Sequence, residues 1–164
     1  MSADLELPEN AELLLKKWYT RCSTVAVGHY KTADFYSKAN MRLTVTAAVL
    51  STIIGTTVFA TLEEQSGFFL KICLGFLSLA AAVLAALSVT MGYQNKGEKH
   101  RTAGSKYNSA GRELEQLGTN TSVTQELLDK IRTRLDAIAE ESPHLPRWVH
   151  NEIADPSQLS KWNN

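Results

Sequence analysis

Hydropathy is distributed very unevenly along this chain. From Leu43 to Leu62 there are 20 consecutive residues without a charge, and from Ile72 to Tyr93 another 22. At about 1.5 Å of rise per residue, either run is long enough as a helix to cross a hydrocarbon core of about 30 Å. Outside the runs there is little uninterrupted apolar sequence. The pattern predicts a two-span hairpin whose short connector, Glu63-Glu64-Gln65-Ser66-Gly67, is acidic and ends on a turn-forming glycine. Of the 17 basic residues only Lys71 falls between the runs. The positive-inside rule then places both termini in the cytoplasm, with the connector outside and Lys71 snorkelling to that interface. The opening MSADLELPENAE lacks the basic start and apolar stretch of a cleaved signal peptide, so the first span is expected to stay in the mature chain.

Both runs carry small residues at four-residue spacing, which lets helix backbones approach where lipid supplies no hydrophobic drive to associate. In the first run Thr44, Ala48, Thr52, Thr56 and Ala60 form one row, and Ala47, Ser51 and Gly55 form its neighbour. In the second, Ser78, Ala82, Ala86 and Thr90 form a row with Gly75 one turn above. Two uses stay open. Either the rows zip the hairpin, or one row zips it while the hydroxyl-bearing face, Thr44, Ser51, Thr52 and Thr56, meets other copies or lines an aqueous path. Neither run holds an ionisable group of the kind that marks a proton relay or a charged selectivity ring, which argues against a selective transporter. Two spans cannot enclose a water path, so any pore needs a homo-oligomer.

The flanks carry heptads free of proline. Before the first run Leu15, Cys22, His29 and Tyr36 recur every seven residues, interleaved with Trp18, Val25, Thr32 and Ala39, as the two positions of a coiled-coil seam do. After the second, Tyr93, His100, Tyr107 and Leu114 repeat at seven, and so do Gly97, Gly104, Gly111 and Gly118. A helical glycine costs about 1 kcal/mol relative to alanine, so four in register call for something bulky packed against them. The spacing predicts an antiparallel stalk in which aromatic and histidine knobs on one helix fill holes left by glycine and alanine on the other. The competing reading ends the helix soon after Tyr93 at glycine breaks. Past Gly118, Ser122 and Gln125 are spaced as a capping box, and Val123, Leu127, Leu128, Ile131, Leu135 and Ile138 form an amphipathic stripe. A third helix of roughly 20 residues follows from that stripe, ended by Pro143 and Pro146. The tail, with isolated Trp148, Val149, Ile153, Leu159 and Trp162, either docks back on the stalk or meets a partner. The fold class is thus an all-α membrane protein. A two-transmembrane helical hairpin (43–93) extends into a cytoplasmic antiparallel stalk (1–42 and 94–118), followed by a C-terminal amphipathic helix and tail (119–164).

Charge and motifs narrow the function mainly by exclusion. The 17 Lys+Arg balance 17 Asp+Glu, so nothing favours a nucleic-acid partner. Cys22 and Cys73 make no disulfide framework. HExxH, GxSxG, CxxC and a dinucleotide-binding glycine fingerprint are absent. The segment Gly92-Tyr-Gln-Asn-Lys-Gly97 lacks the Lys-Ser/Thr that a phosphate loop requires. No catalytic constellation appears, no cofactor or metal is implied, and the chain is not expected to be an enzyme. His144 and His150 with Glu152 read as surface rather than as a metal site. The sequon Asn120-Thr121-Ser122 falls on the cytoplasmic side. His29 and His100 sit at seam positions, where they either pack with a hydrogen bond or titrate near neutral pH and tune assembly. Lys96, Lys99, Arg101 and Lys106 follow the second span closely, placed to meet anionic lipid and fix topology, with a nucleotide-phosphate site as the lesser alternative.

Several of these segments together resemble the SLATT family of two-span proteins. They are Trp18 and His29, the runs Thr52-Ile-Ile-Gly-Thr-Thr-Val-Phe-Ala60 and Leu79-Ala-Ala-Ala-Val-Leu-Ala-Ala-Leu87, and above all Lys99-His100-Arg101, Ala103-Gly104, Tyr107 and Arg112. The resemblance implies an effector of bacterial antiphage conflict systems that forms pores or disrupts the inner membrane and kills the infected cell. It also implies a partner, a cyclic-oligonucleotide synthase or another nucleotide-sensing protein. The expectation is an oligomeric pore-forming or depolarising effector in the lipid bilayer, triggered by a nucleotide signal or partner protein. The alternative is a non-catalytic two-span anchor that recruits a soluble partner through the third helix and tail.

Overall fold

The computed structural model describes residues 10–60, 67–119 and 123–153, and every regular element in them is an α-helix. In chain order these are α1 (Asn10–Ala60), α2 (Phe68–Met91), α3 (Tyr93–Leu117), α4 (Gln125–Glu141) and α5 (Arg147–Ile153). The connector residues 63–66, the sequon at 120–122 and the tail residues Leu159 and Trp162 lie outside the described residues. Two helical stretches, one in α1 and one beginning at Phe68, are long and apolar enough to cross a membrane. The protein is an all-α two-span chain. Its residues group into two compact units, Phe35–Lys96 and a second made of Met1–Asp34 with Gly97–Asn164.

In the unit 35–96, α1 and α2 run antiparallel, because Thr44 at the start of one apolar run meets Ser88 near the end of the other, Oγ1 to Oγ 3.3 Å. The buried and half-buried positions include Leu43, Ala47, Leu50 and Ile54 on α1, and Leu74, Leu77, Ala81, Leu84 and Ser88 on α2. Steps of three and four put each set on one stripe. Ala47 and Ala81 are the most enclosed, and their small side chains let the backbones close. Bulky apolar residues such as Val49, Ile53, Phe76 and Val83 face outward, the arrangement expected where the surroundings are lipid.

In the other unit, the pre-span part of α1 packs antiparallel on α3, and α4 completes the core. Leu15 and Cys22 of α1, Ala110 and Leu114 of α3, and Leu128, Ile131 and Ile138 of α4 form one buried cluster. The α4 stripe read from the sequence is the face that packs here. Its cap differs from expectation. Thr124 accepts the Leu127 N–H at 3.4 Å as the cap, and Gln125 is the first helical residue; Ser122 lies outside the described residues.

The glycine heptad divides by environment. Gly97, Gly104 and Gly111 are buried in α3, so the helix continues well past Tyr93. Gly118 is exposed and fills no seam position; its N–H donates to Leu114 O at 3.0 Å and closes the helix. A break does occur one residue before Tyr93. Gly92 has φ 58° and ψ 30°, a left-handed conformation that ends α2 and that glycine adopts without a Cβ clash. Lys96 N–H then donates to Gly92 O at 3.0 Å, so α3 begins at once. At Gly111 a Cβ would lie 3.9 Å from Cys22 Cβ and 4.0 Å from Tyr19 Cδ2, ordinary contact distances. Gly111→Ala is therefore expected to stabilise the chain by about 0.5–1 kcal/mol, as an exchange of flexible backbone for a fitted methyl does. A lowered thermal midpoint of the full chain in detergent would contradict that space.

The described part of the tail docks. A Cβ at Gly28 would meet Leu145 at 3.1 Å, Ile153 at 3.2 Å and Val149 at 3.3 Å, so α5 and the residues before it pack closely on α1 at this glycine. Val149 is 0% exposed. Lys31 of α1 pairs with Glu152 of α5 beside it.

Candidate functional site

Next to Gly28, the two heptads bring His29 of α1 and His100 of α3 together, Nδ1 to Nδ1 at 3.0 Å. Both are buried, at 2% and 5% exposure. The Tyr107 ring, one heptad after His100, stacks on His29 with centroids 5.6 Å apart and planes 15° from parallel. Two neutral imidazoles can bond through their Nδ1 atoms only if one carries the proton there and the other presents its lone pair. One added proton preserves that bond, and a second removes its acceptor. Burial pushes His29 down to about 4, with His100 adding to the effect, and burial lowers His100 as well. The pair is neutral at pH 7, and its titration falls below the near-neutral range that one reading of the sequence allowed. Burial raises the Tyr107 phenol, against which a Ser142 hydrogen bond works. Burial likewise raises the Cys22 thiol, with Arg21 opposing.

The unit 35–96 offers a different feature. Thr44, Ala48, Ser51, Thr52 and Thr56 are exposed and Gly55 half-buried, while Gly75, Ser78, Ala82 and Ala86 are exposed. A Cβ at Gly55 or Gly75 would meet nothing within 4 Å. Gly55 and Gly75 therefore do not close the hairpin seam; of the small residues, Ala47 and Ala81 are the most enclosed there, and Thr44 meets Ser88 across it. At about 100° per residue, Ser51, Thr44, Gly55, Ala48 and Thr52 follow one another round α1 from one edge of the seam. Ser78, Ala82, Gly75 and Ala86 do the same round α2, in the same rotational sense. In antiparallel helices sharing a seam, equal rotations lead to one side of the pair. The small rows make a single face, bounded at its ends by exposed Val58 and Val89, and Val49, Ile53, Phe76, Val83 and Leu87 occupy the opposite one.

Three hydroxyls of the small rows bond to carbonyls of their own helices. Thr52 Oγ1 donates to Ala48 O at 2.9 Å, Thr56 to Thr52 O at 3.0 Å and Ser78 to Leu74 O at 2.8 Å. Such back-bonding occupies these three donors, yet each oxygen can still accept from water or from another helix.

The basic residues divide between the units. Lys96 Nζ lies 6.0 Å from the Tyr36 ring centre and 5.8 Å from that of Tyr93. Those rings stack at 5.8 Å, an aromatic pair of the kind that marks a membrane interface. Lys99 and Arg101 are exposed on α3, and Lys106 pairs with Glu141 of α4. Trp18 is half-buried beside the α1–α3–α4 core. His144 and His150 are exposed, and Glu152 is engaged by Lys31. Sequence reasoning passed over Gly28 and read Val149 and Ile153 as isolated residues of a tail that docks back or meets a partner, although Leu145, Val149 and Ile153 recur every four residues, a helical signal obscured by the flanking prolines.

No curated protein and no solved structure matches the chain. The model of the SMODS and SLOG-associating 2TM effector domain family 4 matches residues 12–145, a stretch that contains both spans, the histidine pair and α4 and stops before α5. The chain belongs to that family, and is thereby a membrane effector of nucleotide-signalling defence systems.

Proposed function

We propose that the protein acts as a homo-oligomer that permeabilises or depolarises the bacterial inner membrane to abort phage infection. Both termini lie in the cytoplasm, and a nucleotide signal or a partner such as a cyclic-oligonucleotide synthase supplies the trigger. The observation that carries this reading is the one-sided small face of the hairpin. A Cβ at its two glycines, Gly55 and Gly75, would touch nothing within the chain, so its backbones are accessible to another helix, and its hydroxyls suit both lipid and water. Several hairpins closing this face on one another would build a wall of Thr, Ser, Gly and Ala around a water path. Without a ring of charge, such a path selects by width rather than by ion type.

The test is dye release from liposomes holding the full-length protein, with and without candidate cyclic oligonucleotides. Gly55→Leu is compared with Val49→Leu on the opposite face. Nothing in the hairpin crowds position 55, so a fault of the leucine variant reports on contacts between copies. Release about tenfold lower with Gly55→Leu, equivalent to about 1.4 kcal/mol of lost association, and unchanged with Val49→Leu is the expected result. Equal release from both variants, or tight liposomes in every condition, would overturn the pore and favour an anchor that recruits a soluble partner.

A further inference from the structure

In the unit that holds the histidine pair, α1, α3 and α4 leave a cleft of about 150 Å³. That volume matches an engineered apolar cavity that admits one benzene ring. The rings of Trp18 and Tyr107 line it, both half-buried, and Cys22 lines it as well. Its charged lining residues are Arg21, Arg132 and Asp136, a net charge of one positive. Arg132 has Asp129 at 3.7 Å, whereas among the described residues no carboxylate pairs with Arg21. An unpaired guanidinium beside two aromatic rings is suited to a planar anion, since it offers a flat two-donor edge to a carboxylate. A larger cleft of about 410 Å³, lined by Glu98, Lys99, Lys106 and Glu141, has neither an arginine nor an aromatic ring in its lining.

We propose that the Trp18–Tyr107 cleft binds a small planar organic anion, a single aromatic ring bearing a carboxylate, with the ring against Trp18 and Tyr107 and the carboxylate on Arg21. This site is separate from the assembly face of the hairpin and does not depend on the pore reading. Occupancy would be communicated inward by Tyr107, whose ring stacks on His29.

The test uses the full-length protein in nanodiscs with Trp148→Phe and Trp162→Phe, which leaves Trp18 as the sole indole. Benzoate is titrated against Trp18 fluorescence and, in a Cys73→Ser background, against the alkylation rate of Cys22. Saturable quenching with a dissociation constant of about 0.1–1 mM is expected, typical of a ligand of this size. Cys22 should be protected in parallel. Cyclohexanecarboxylate, with the same charge but no flat ring, and toluene, with the ring but no charge, should each bind at least about fivefold more weakly, because each lacks one of the two contacts. Arg21→Met should weaken benzoate about tenfold or more, the loss of a charge-assisted pair. Asp136→Asn should tighten it severalfold by removing the repelling carboxylate, a gain that misfolding cannot produce. Absence of saturation, or equal affinity for benzoate and cyclohexanecarboxylate, would overturn the proposal. An Asp136→Asn variant that binds no better would do the same.

Discussion

Replacing Gly104 with leucine is expected to lower the stability of the full chain by about 3 kcal/mol, near the upper end for overpacking a close contact. A Cβ there would already stand 3.2 Å from Tyr30 Cε1 and 3.3 Å from Ala26 O. The two neighbours differ in what they can yield. Tyr30 is 39% exposed and its ring can swing toward solvent, but the Ala26 carbonyl belongs to the α1 backbone and moves only if the helix bends. Alanine at 104 regains about 1 kcal/mol of helix propensity against that crowding and should come out slightly destabilising. Leucine adds three more carbons with nowhere to go. Seven residues later, Gly111→Ala should stabilise. Opposite signs at two glycines of one heptad would be the mark of a helix pair that is closest near Gly104, read by thermal melts of the full chain in detergent with near-ultraviolet circular dichroism. A Gly104→Leu protein as stable as the parent would mean that α1 and α3 stand further apart than these distances.

The same contrast shows which features a sequence exposes. The spans were legible because an uncharged run of about 20 residues has few other uses. The stalk heptads were legible because period seven survives any choice of partner, and it set His29, His100 and Tyr107 on seams. Which histidine meets which is a matter of antiparallel register, and register follows from contacts that no periodicity records. Gly104 and Gly111 are the same residue at the same heptad position, so their different clearances were hidden. Gly92 was hidden for a related reason, since a glycine in a helical pattern carries no sign of its own φ. In the spans, four-residue spacing generates parallel rows, and Ala47 and Ala81 differ from Ala48 and Ala82 only by a step of 100°. Small residues on all of these rows left the choice of seam to the bulky leucines beside them, Leu43, Leu50, Leu74, Leu77 and Leu84, which the small-residue count ignored.

Acidification should weaken the fold through the histidine pair before it touches the carboxylates. An unfolded histidine titrates near 6.5, and folded His29 near 4. Between those values the unfolded chain holds a proton that the folded chain refuses, so stability is complete above about pH 6.5 and falls as pH drops toward 4. The total is at most about 3 kcal/mol from His29, and His100 shifts in the same direction. Glu141 is held below the usual carboxylate range by Lys106, so its contribution is lost only in more acidic solution. The interval from about pH 6.5 to 5 therefore belongs to the histidines. The thermal midpoint of the full chain in nanodiscs should fall across that interval, and the double variant His29→Leu/His100→Leu should abolish most of the fall. Removing both partners together spares the core an unmatched polar group, whereas His29→Leu alone deprives buried His100 of its imidazole partner and should cost about 1–3 kcal/mol at neutral pH. A parent protein whose midpoint stays level from pH 7.5 to 5 would show that the pair is not held neutral by burial. A double variant less stable at pH 7.5 than His29→Leu alone would show that the imidazoles are retained for packing rather than for their shared proton.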